Sequence, residues 1–461
     1  MNANDIARLV VDRTDEGVFT VDRAIFRDPE IFELEMRYIF ERGWVFLGLA
    51  SQAAQPNDYF TTWIGRQPVI VMRSADGELG AFMNTCRHRG ATVCQKRQGN
   101  ARYHVCPYHG WSYDSGGKSK TIKDLQSGCY SEAFHEENHD LVPVPRFELY
   151  RGFLFGCLDA DVQPLDEHLN GTRFFLDLIV DQSPDGVEAV PGFSTYTFRG
   201  NWKLQMENGL DAYHLTSTHP SFMKLVERRN SSESRYQLKS VDFASFTERG
   251  GFTFENGHAA LFTPNPNPQI RPLYASIDEL RERVGEDRAA WMLTTRNLVL
   301  FPNVQMAENA SLQLRVLRPL APDLTEMTIY CLAPVGESDE ARNFRLRQFE
   351  DFFNSTGMAT PDDTTCYEDC QSGYQATNVQ WQQGYSRGMT SVQPGTNEIG
   401  ERIGIKARTS QMGEVKVQDE TLFHAGYRAW LAMMQAGFAS ERANQVNQVA
   451  AQPVKLHQEV S

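Results

Sequence analysis

Cys86-Arg87-His88-Arg89-Gly90 and Cys106-Pro107-Tyr108-His109-Gly110-Trp111 bring thiols and imidazoles together at a spacing that can hold metal. The order is Cys-x-His, then seventeen residues, then Cys-x-x-His. Two thiolates on one iron and two imidazoles on the other suit a [2Fe–2S] cluster. Neutral imidazoles raise its potential above that of an all-cysteine ferredoxin. Zinc accepts the same ligand set, but finger-type sites place both cysteines before both histidines, and here the two types alternate. Gly90 and Gly110 allow close backbone approach, and Pro107 stiffens the second loop. Cys86 and Cys106 are therefore expected on one iron, and His88 and His109 on the other.

A second group gives electrons a destination. Trp202-Lys203-Leu204-Gln205-Met206-Glu207-Asn208-Gly209-Leu210-Asp211-Ala212-Tyr213-His214 is followed by His219. Two histidines and one carboxylate leave open positions on a mononuclear Fe(II) that must bind dioxygen beside a substrate. Five residues are about 140° around a regular helix, so His214 and His219 can share a metal only where the helix ends or bulges. Alone, the pair also reads as two ordinary helix residues. Asp211, three residues before His214, shares its face and can accept a hydrogen bond from the far imidazole nitrogen. The carboxylate ligand must come from elsewhere. Thr360-Pro361-Asp362-Asp363 reads as a helix start with Thr360 as cap and Pro361 first in the helix, and the residues alone leave both acids open.

These groups need two scaffolds. At 461 residues the chain exceeds the roughly 250–300 at which single cores stop growing, so at least two domains are expected. Its 41% hydrophobic and 23% charged residues are those of an ordinary globular protein. A net charge of −14 argues against nucleic acid and anionic membrane as partners. No apolar run is long enough for a membrane span, and the N-terminus lacks the pattern of a signal peptide. Six cysteines besides Cys86 and Cys106 lack a disulfide-framework spacing, which points to free, mostly buried thiols in the cytoplasm. Cys366 and Cys370, one helical turn apart, read as packed on an inner helix face.

Residues 28–43 read as a helix, within an N-terminal segment, 1–43, that is expected to pack on the domain carrying the second metal site. From Trp44 to about Pro164 short β-type runs dominate, including 59–64, 68–72 and 152–156, with the cluster motifs in their loops. Residues 165–440 mix strands (192–198, 313–317, 327–331) with helices (340–353, 420–439), which implies an α+β domain around a deep pocket. The tail, 441–461, lacks a core pattern and is expected to fray or serve as an interaction arm.

With both motifs in hand, the chain resembles the large (alpha) subunit of the Rieske non-haem iron aromatic-ring-hydroxylating dioxygenases. The resemblance covers most of its length. It implies a β-rich N-terminal Rieske [2Fe–2S] domain and an α+β catalytic domain with an antiparallel sheet around mononuclear Fe(II). It makes Cys86, His88, Cys106 and His109 the cluster ligands and His214 and His219 the iron ligands, and it favours Asp363 over Asp362 as the third. It makes Asp211 a bridge between His214 and His109 of the partner subunit, and it places Asn208 near the iron. Tyr213 and Glu207 match residues around that bridge, without an assigned chemistry.

Segments 64–68, 194–198, 200–204, 347–353 and 355–363 are similar to the benzoate, toluate and anthranilate group, whose members add both atoms of O2 across a ring bond. His219-Pro220-Ser221-Phe222-Met223-Lys224-Leu225 departs from the His-Trp-Asn-Tyr of that group. The implied partners are a small aromatic acid, O2, a separate NADH-dependent reductase, and a ring of three alpha subunits with or without a small beta subunit. An aromatic acid needs a pocket cation, for which Lys224, Arg228 and Arg229 are candidates. Four rivals stand beside this reading: a monooxygenase or demethylase, an aniline-type dioxygenase, a pure Rieske electron carrier, and an apolar-ligand binder with structural zinc.

Overall fold

Alternating apolar residues from Tyr59 onward pair as antiparallel strands. The computed structural model describes residues 1–231, 248–309, 311–414 and 419–450. Asp58–Ile64 and Gln67–Arg73 form a hairpin with Tyr59 opposite Met72 and Ile64 opposite Gln67. Leu79–Met83 and Gln98–Asn100 complete that sheet. A second sheet, Tyr103–Val105, Ser112–Asp114 and Ser119–Thr121, holds the loop 106–111 between its first two strands. The two sheets close a small core in which Tyr59, Ile70, Met72, Trp111 and Tyr113 surround Cys86 and Cys106.

A third sheet, Arg146–Tyr150, Phe153–Cys157 and Val45–Leu49, belongs to a different core. Trp44, Phe46, Phe153 and Phe155 pack with Leu298, Leu300 and Met306 of the second half. Asn303 locks this join: its Oδ1 accepts the Phe46 N–H at 2.9 Å and its Nδ2 donates to the Phe46 carbonyl at 3.1 Å. The cluster loops thus stand on a base whose apolar core is continuous with residues beyond 164.

The second half is built on ten antiparallel strands. Nine follow the order Val187–Ala189, Leu324–Pro334, Leu312–Ala321, Val304–Glu308, Thr295–Leu300, Ala259–Thr263, Glu248–Thr253, Thr409–Glu414 and Val392–Pro394. The tenth, Ser194–Phe198, also pairs with Leu324–Pro334. Helices Trp202–Asn208, Asp339–Phe352, Thr360–Gly373 and Phe423–Ala450 accompany this sheet, giving the expected α+β architecture.

Glu35 ties the N-terminal segment to this assembly. Its fully buried carboxylate accepts from Lys203 Nζ at 2.6 Å, Trp202 Nε1 at 2.9 Å and Trp430 Nε1 at 2.7 Å. A buried charge is tolerable when paired and hydrogen-bonded on this scale. The helix expected over 28–43 is an α-helix, Pro29–Glu35, capped by Asp28 and followed by a π turn, Met36–Phe40.

The structure differs from sequence expectation in two further places. The C-terminal helix continues through Ala450 instead of ending near 439, anchored by Phe438 on Tyr38 and by Glu441 on Arg37 at 3.0 Å. The rest of the tail, 451–461, lies outside the described residues. Cys366 and Cys370 are exposed, as is Cys129, so helical spacing misjudged which face of Thr360–Gly373 turns inward. Among the described residues no helix is long and apolar enough to cross a membrane.

Candidate functional site

The two cluster loops fold alike. In each, a glycine N–H returns to the cysteine carbonyl at 3.0 Å (Gly90 to Cys86, Gly110 to Cys106). Both glycines adopt left-handed backbone, φ 74° and 77°, where a side chain would be strained. Cys86 and Cys106 are buried, and His88 reaches the surface. The Nδ1 atoms of His88 and His109 converge to 3.0 Å, and Trp111 stacks on His88 with centroids 5.1 Å apart. Tyr113 Oη lies 3.3 Å from Cys86 Sγ and accepts the Arg87 N–H at 3.0 Å. Two thiols below and two imidazole Nδ1 atoms above fit a cluster ligated through both elements.

The second site begins with a helix that must stop. Asn201 caps Trp202–Asn208 by accepting the Lys203 N–H at 3.1 Å. Its own N–H donates to Gln371 Oε1 at 2.9 Å, which joins this helix to the one that carries Asp363. Gly209 ends the helix against the sheet, where a Cβ would fall 2.0 Å from Gln305 Nε2. Asp211 then organises the turn: Oδ1 accepts the Tyr213 N–H at 2.5 Å and Oδ2 meets His214 Nδ1 at 2.9 Å.

His214 and His219 bracket a single helical turn, Leu215–Thr218. Pro220 opens the next helix, Pro220–Ser231, and a proline pushes the residue before it out of helical backbone. His219 accordingly sits at φ −111°, ψ 37°. This break brings two histidines five residues apart to one point. Asp363 Oδ1 is 3.4 Å from His214 Nε2 and 3.1 Å from His219 Nε2. One ligand atom from each of these three residues lies within 4.8 Å of the others.

Both far nitrogens are also held, His214 Nδ1 by Asp211 and His219 Nδ1 by Asp362 at 3.3 Å. Asn208 Nδ2 donates to Asp363 Oδ1 at 3.2 Å. Thr360 is the first residue of its helix and not the cap, and its hydroxyl donates to the Phe353 carbonyl at 3.0 Å. Burial opposes a charge on His214, but its hydrogen bonds to the Asp211 and Asp363 carboxylates outweigh it and lift its pKa to about 10. Burial raises Asp363, and the two imidazoles more than reverse this, leaving it well below the usual carboxylate range. Imidazoles set among three acids form a donor set that a divalent cation balances.

His214, His219 and Asp363 open into a cavity of about 130 Å³. A cavity of about 150 Å³ can hold benzene, so this one is of single-ring size. Phe352, Phe353, Leu261 and Met306 supply apolar walls. The cations that line it are Arg249 and Arg315, both on strands of the large sheet. Lys224, Arg228 and Arg229 do not line it; Arg229 forks onto Asp351 at 2.5 and 2.9 Å.

Comparison with known proteins matches residues 43–143 to the Rieske [2Fe-2S] domain and residues 188–436 to the ring hydroxylating alpha subunit (catalytic domain). The chain belongs to the alpha subunits of the Rieske ring-hydroxylating dioxygenases. It is 43% identical over 430 residues to the 2-halobenzoate 1,2-dioxygenase large subunit of Burkholderia cepacia, covering 92% of this chain and 91% of the relative. It is 42% identical over 433 residues to the toluate 1,2-dioxygenase subunit alpha of Pseudomonas putida, covering 93% and 94%. A crystal structure of naphthalene 1,2-dioxygenase superposes with a TM-score of 0.78 at 25% identity, over 98% of this chain and 100% of that one.

As a Rieske dioxygenase alpha subunit the chain uses a [2Fe–2S] cluster and a mononuclear iron, which excludes the structural-zinc reading and the carrier without catalytic iron. Sequence reasoning missed Asp362 as a partner of His219, and it missed Arg249 and Arg315. Their signal was faint, because a polar residue on alternate strand positions also describes a solvated face.

Proposed function

We propose that this alpha subunit is the terminal oxygenase of an aromatic-acid 1,2-dioxygenase. The observation that carries the reading is the shared cavity: His214, His219 and Asp363 form one wall of a ring-sized pocket that also presents two arginines. Relatives named for 2-halobenzoate, toluate and anthranilate support the acid class. In the overall reaction one ring double bond, O2, two electrons and two protons give a cis-diol. NADH supplies the electrons through a separate reductase and is oxidised to NAD+. The relatives' designation as large or alpha subunits supports assembly with a small subunit, in the three-fold ring that the sequence resemblance implies.

Cys86 and Cys106 would hold one cluster iron and His88 and His109 the other; His214, His219 and Asp363 would hold the catalytic iron. When bound, these groups deliver single electrons and activate dioxygen. The protein's own part is positional. Asp211 and Asp362 fix the ring orientations and tautomers of the two histidines, so that both Nε2 atoms face Asp363. Phe352 and Phe353 press the substrate ring against this group and exclude water. Asp211 also serves as the link to His109 of the partner subunit.

The test is turnover by the purified oxygenase with NADH and a surrogate reductase, against benzoates, anthranilate and anilines under isotopically labelled O2. Both labelled atoms should appear in the diol of an aromatic acid. One labelled atom would make it a monooxygenase, and turnover confined to anilines would remove the acid class.

A further inference from the structure

One wall of the cavity into which His214, His219 and Asp363 open is a patch of sheet rich in buried polar atoms without partners among the described residues. Leu261, Asn297, Ala307 and Gln313 lie in one cross-strand row on four successive strands. Arg315 stands two residues along from Gln313 and therefore on the same face. Asn297 Oδ1, both amide atoms of Gln313 and Arg315 Nε are buried and have no hydrogen-bond partner among the described residues. Native proteins rarely leave such atoms unpaired, because each costs the full desolvation of the group. Several on one cavity wall mark a surface built to meet a polar ligand.

The two arginines are not equivalent. Arg249 already has a counter-charge: Asp419 Oδ2 lies 3.5 Å from Nη2, which also donates to the Asp419 carbonyl at 3.3 Å. Arg315 is 6% exposed and forms no ion pair among the described residues. Its guanidinium stands 5.7 Å from the Phe353 ring centroid, a face that also lines the cavity. A buried arginine is stable when a carboxylate meets its planar fork. Here the protein supplies the fork and the described residues supply no acid to fill it.

The geometry points to Arg315 as the anchor for the substrate carboxylate, with the Gln313 amide beside it as a second donor. This assignment rests on the aromatic-acid reading above and names the residue that sets its specificity. The carboxylate accepts from the Arg315 guanidinium, while the ring lies against Phe353 and reaches toward His214 and Asp363. Arg249, whose charge Asp419 already offsets although its Nη1 has no hydrogen-bond partner among the described residues, is the lesser candidate.

Direct binding of benzoate and of its neutral isostere benzamide to purified, metal-loaded oxygenase, read by calorimetry, tests this without turnover. Wild type should bind benzoate about 10- to 100-fold more tightly than benzamide, the effect of charge-assisted hydrogen bonds. R315Q should lose that preference and keep its affinity for benzamide, whereas R249Q should retain the preference. R315K keeps the charge without the fork and should fall between, which decides the matter if R315Q does not fold. Equal affinity for the two ligands in wild type, or undiminished preference in R315Q or R315K, overturns the anchor. Loss in R249Q alone moves it to Arg249. If wild type turns over no aromatic acid, the proposed function itself fails; if it does and R315Q binds benzoate normally, only this inference fails.

Discussion

The carboxylate of Asp362 stands 3.3 Å from Nδ1 of His219, on the opposite side of the ring from Asp363. The paired acids of this helix therefore split their work: Asp363 faces the point where both Nε2 atoms converge, and Asp362 orients one of the rings that face it. Outer partners of this kind change metal affinity by about 10- to 100-fold. D362A should bind iron more weakly by that factor, read as iron retained after dialysis against a graded chelator, with cluster absorbance unchanged. Iron retention equal to wild type would show that His219 is held by packing alone.

Asp211 differs because its two oxygens serve different groups, the Tyr213 N–H and His214 Nδ1. In D211N the amide oxygen can still accept from Tyr213, while its NH2 faces a ring nitrogen that carries a proton when Nε2 is on metal. Both metals should remain, and turnover should drop by about 10- to 100-fold or more, the lower bound being the cost of removing a partner of a metal-bound histidine. Metal analysis alongside single-turnover rates separates the two effects. A fully active D211N would leave Asp211 no role between the centres.

Legibility in the sequence followed the kind of constraint at work. The cluster loops were plain because ligand, glycine and proline act within a few residues, and Gly90 and Gly110 need left-handed backbone whatever surrounds them. The iron histidines were legible as a pair that needs the helix to end or bulge between them, but not where that break falls. The break that unites them comes from Pro220, which the sequence shows but whose effect on His219 depends on a helix starting there. Arg315 and Gln313 were illegible for a different reason. They alternate with Leu312 and Leu314 in a pattern that describes a solvated strand face equally well, and only the neighbouring strands turn that face toward a cavity. The exposed Cys366 and Cys370 show the converse, since helical spacing says which residues share a face but not which face is inside.

The Tyr113 hydroxyl at 3.3 Å from Cys86 Sγ gives the cluster an adjustable contact. A hydrogen bond to a thiolate ligand stabilises the reduced, more negative cluster and raises its potential. Y113F should lower the potential by on the order of 40 mV, the one-electron equivalent of about 1 kcal/mol. Redox titration followed by the cluster's spectrum measures this directly. An unchanged potential would mean that the hydroxyl serves only the Arg87 N–H.

Glu207 offers a prediction in pH. It is partly buried beside the iron-bearing turn, where it accepts hydrogen bonds from Tyr385 at 2.6 Å and from Tyr427. Burial pushes its pKa from 4.5 up to about 7, against the two tyrosine hydroxyls, which favour the charged form. Between these values Glu207 holds a proton in the folded protein that it loses in the unfolded chain, so its contribution to stability falls as pH rises. The contribution is complete below pH 4.5 and lost above about 7, a difference on the order of 3 kcal/mol. Glu420 is also raised to about 7, by burial and then by Asp211, so the slope belongs to both acids. In E207Q the amide oxygen still accepts from the tyrosines and no charge has to be buried. Its apparent Tm should match wild type near pH 4.5 and exceed it by a few degrees at pH 8. Acids such as Asp363 are common to both proteins and cancel in the comparison. Parallel Tm curves across this range would show that Glu207 is charged in the folded protein throughout, with the tyrosine hydrogen bonds outweighing the cost of burial.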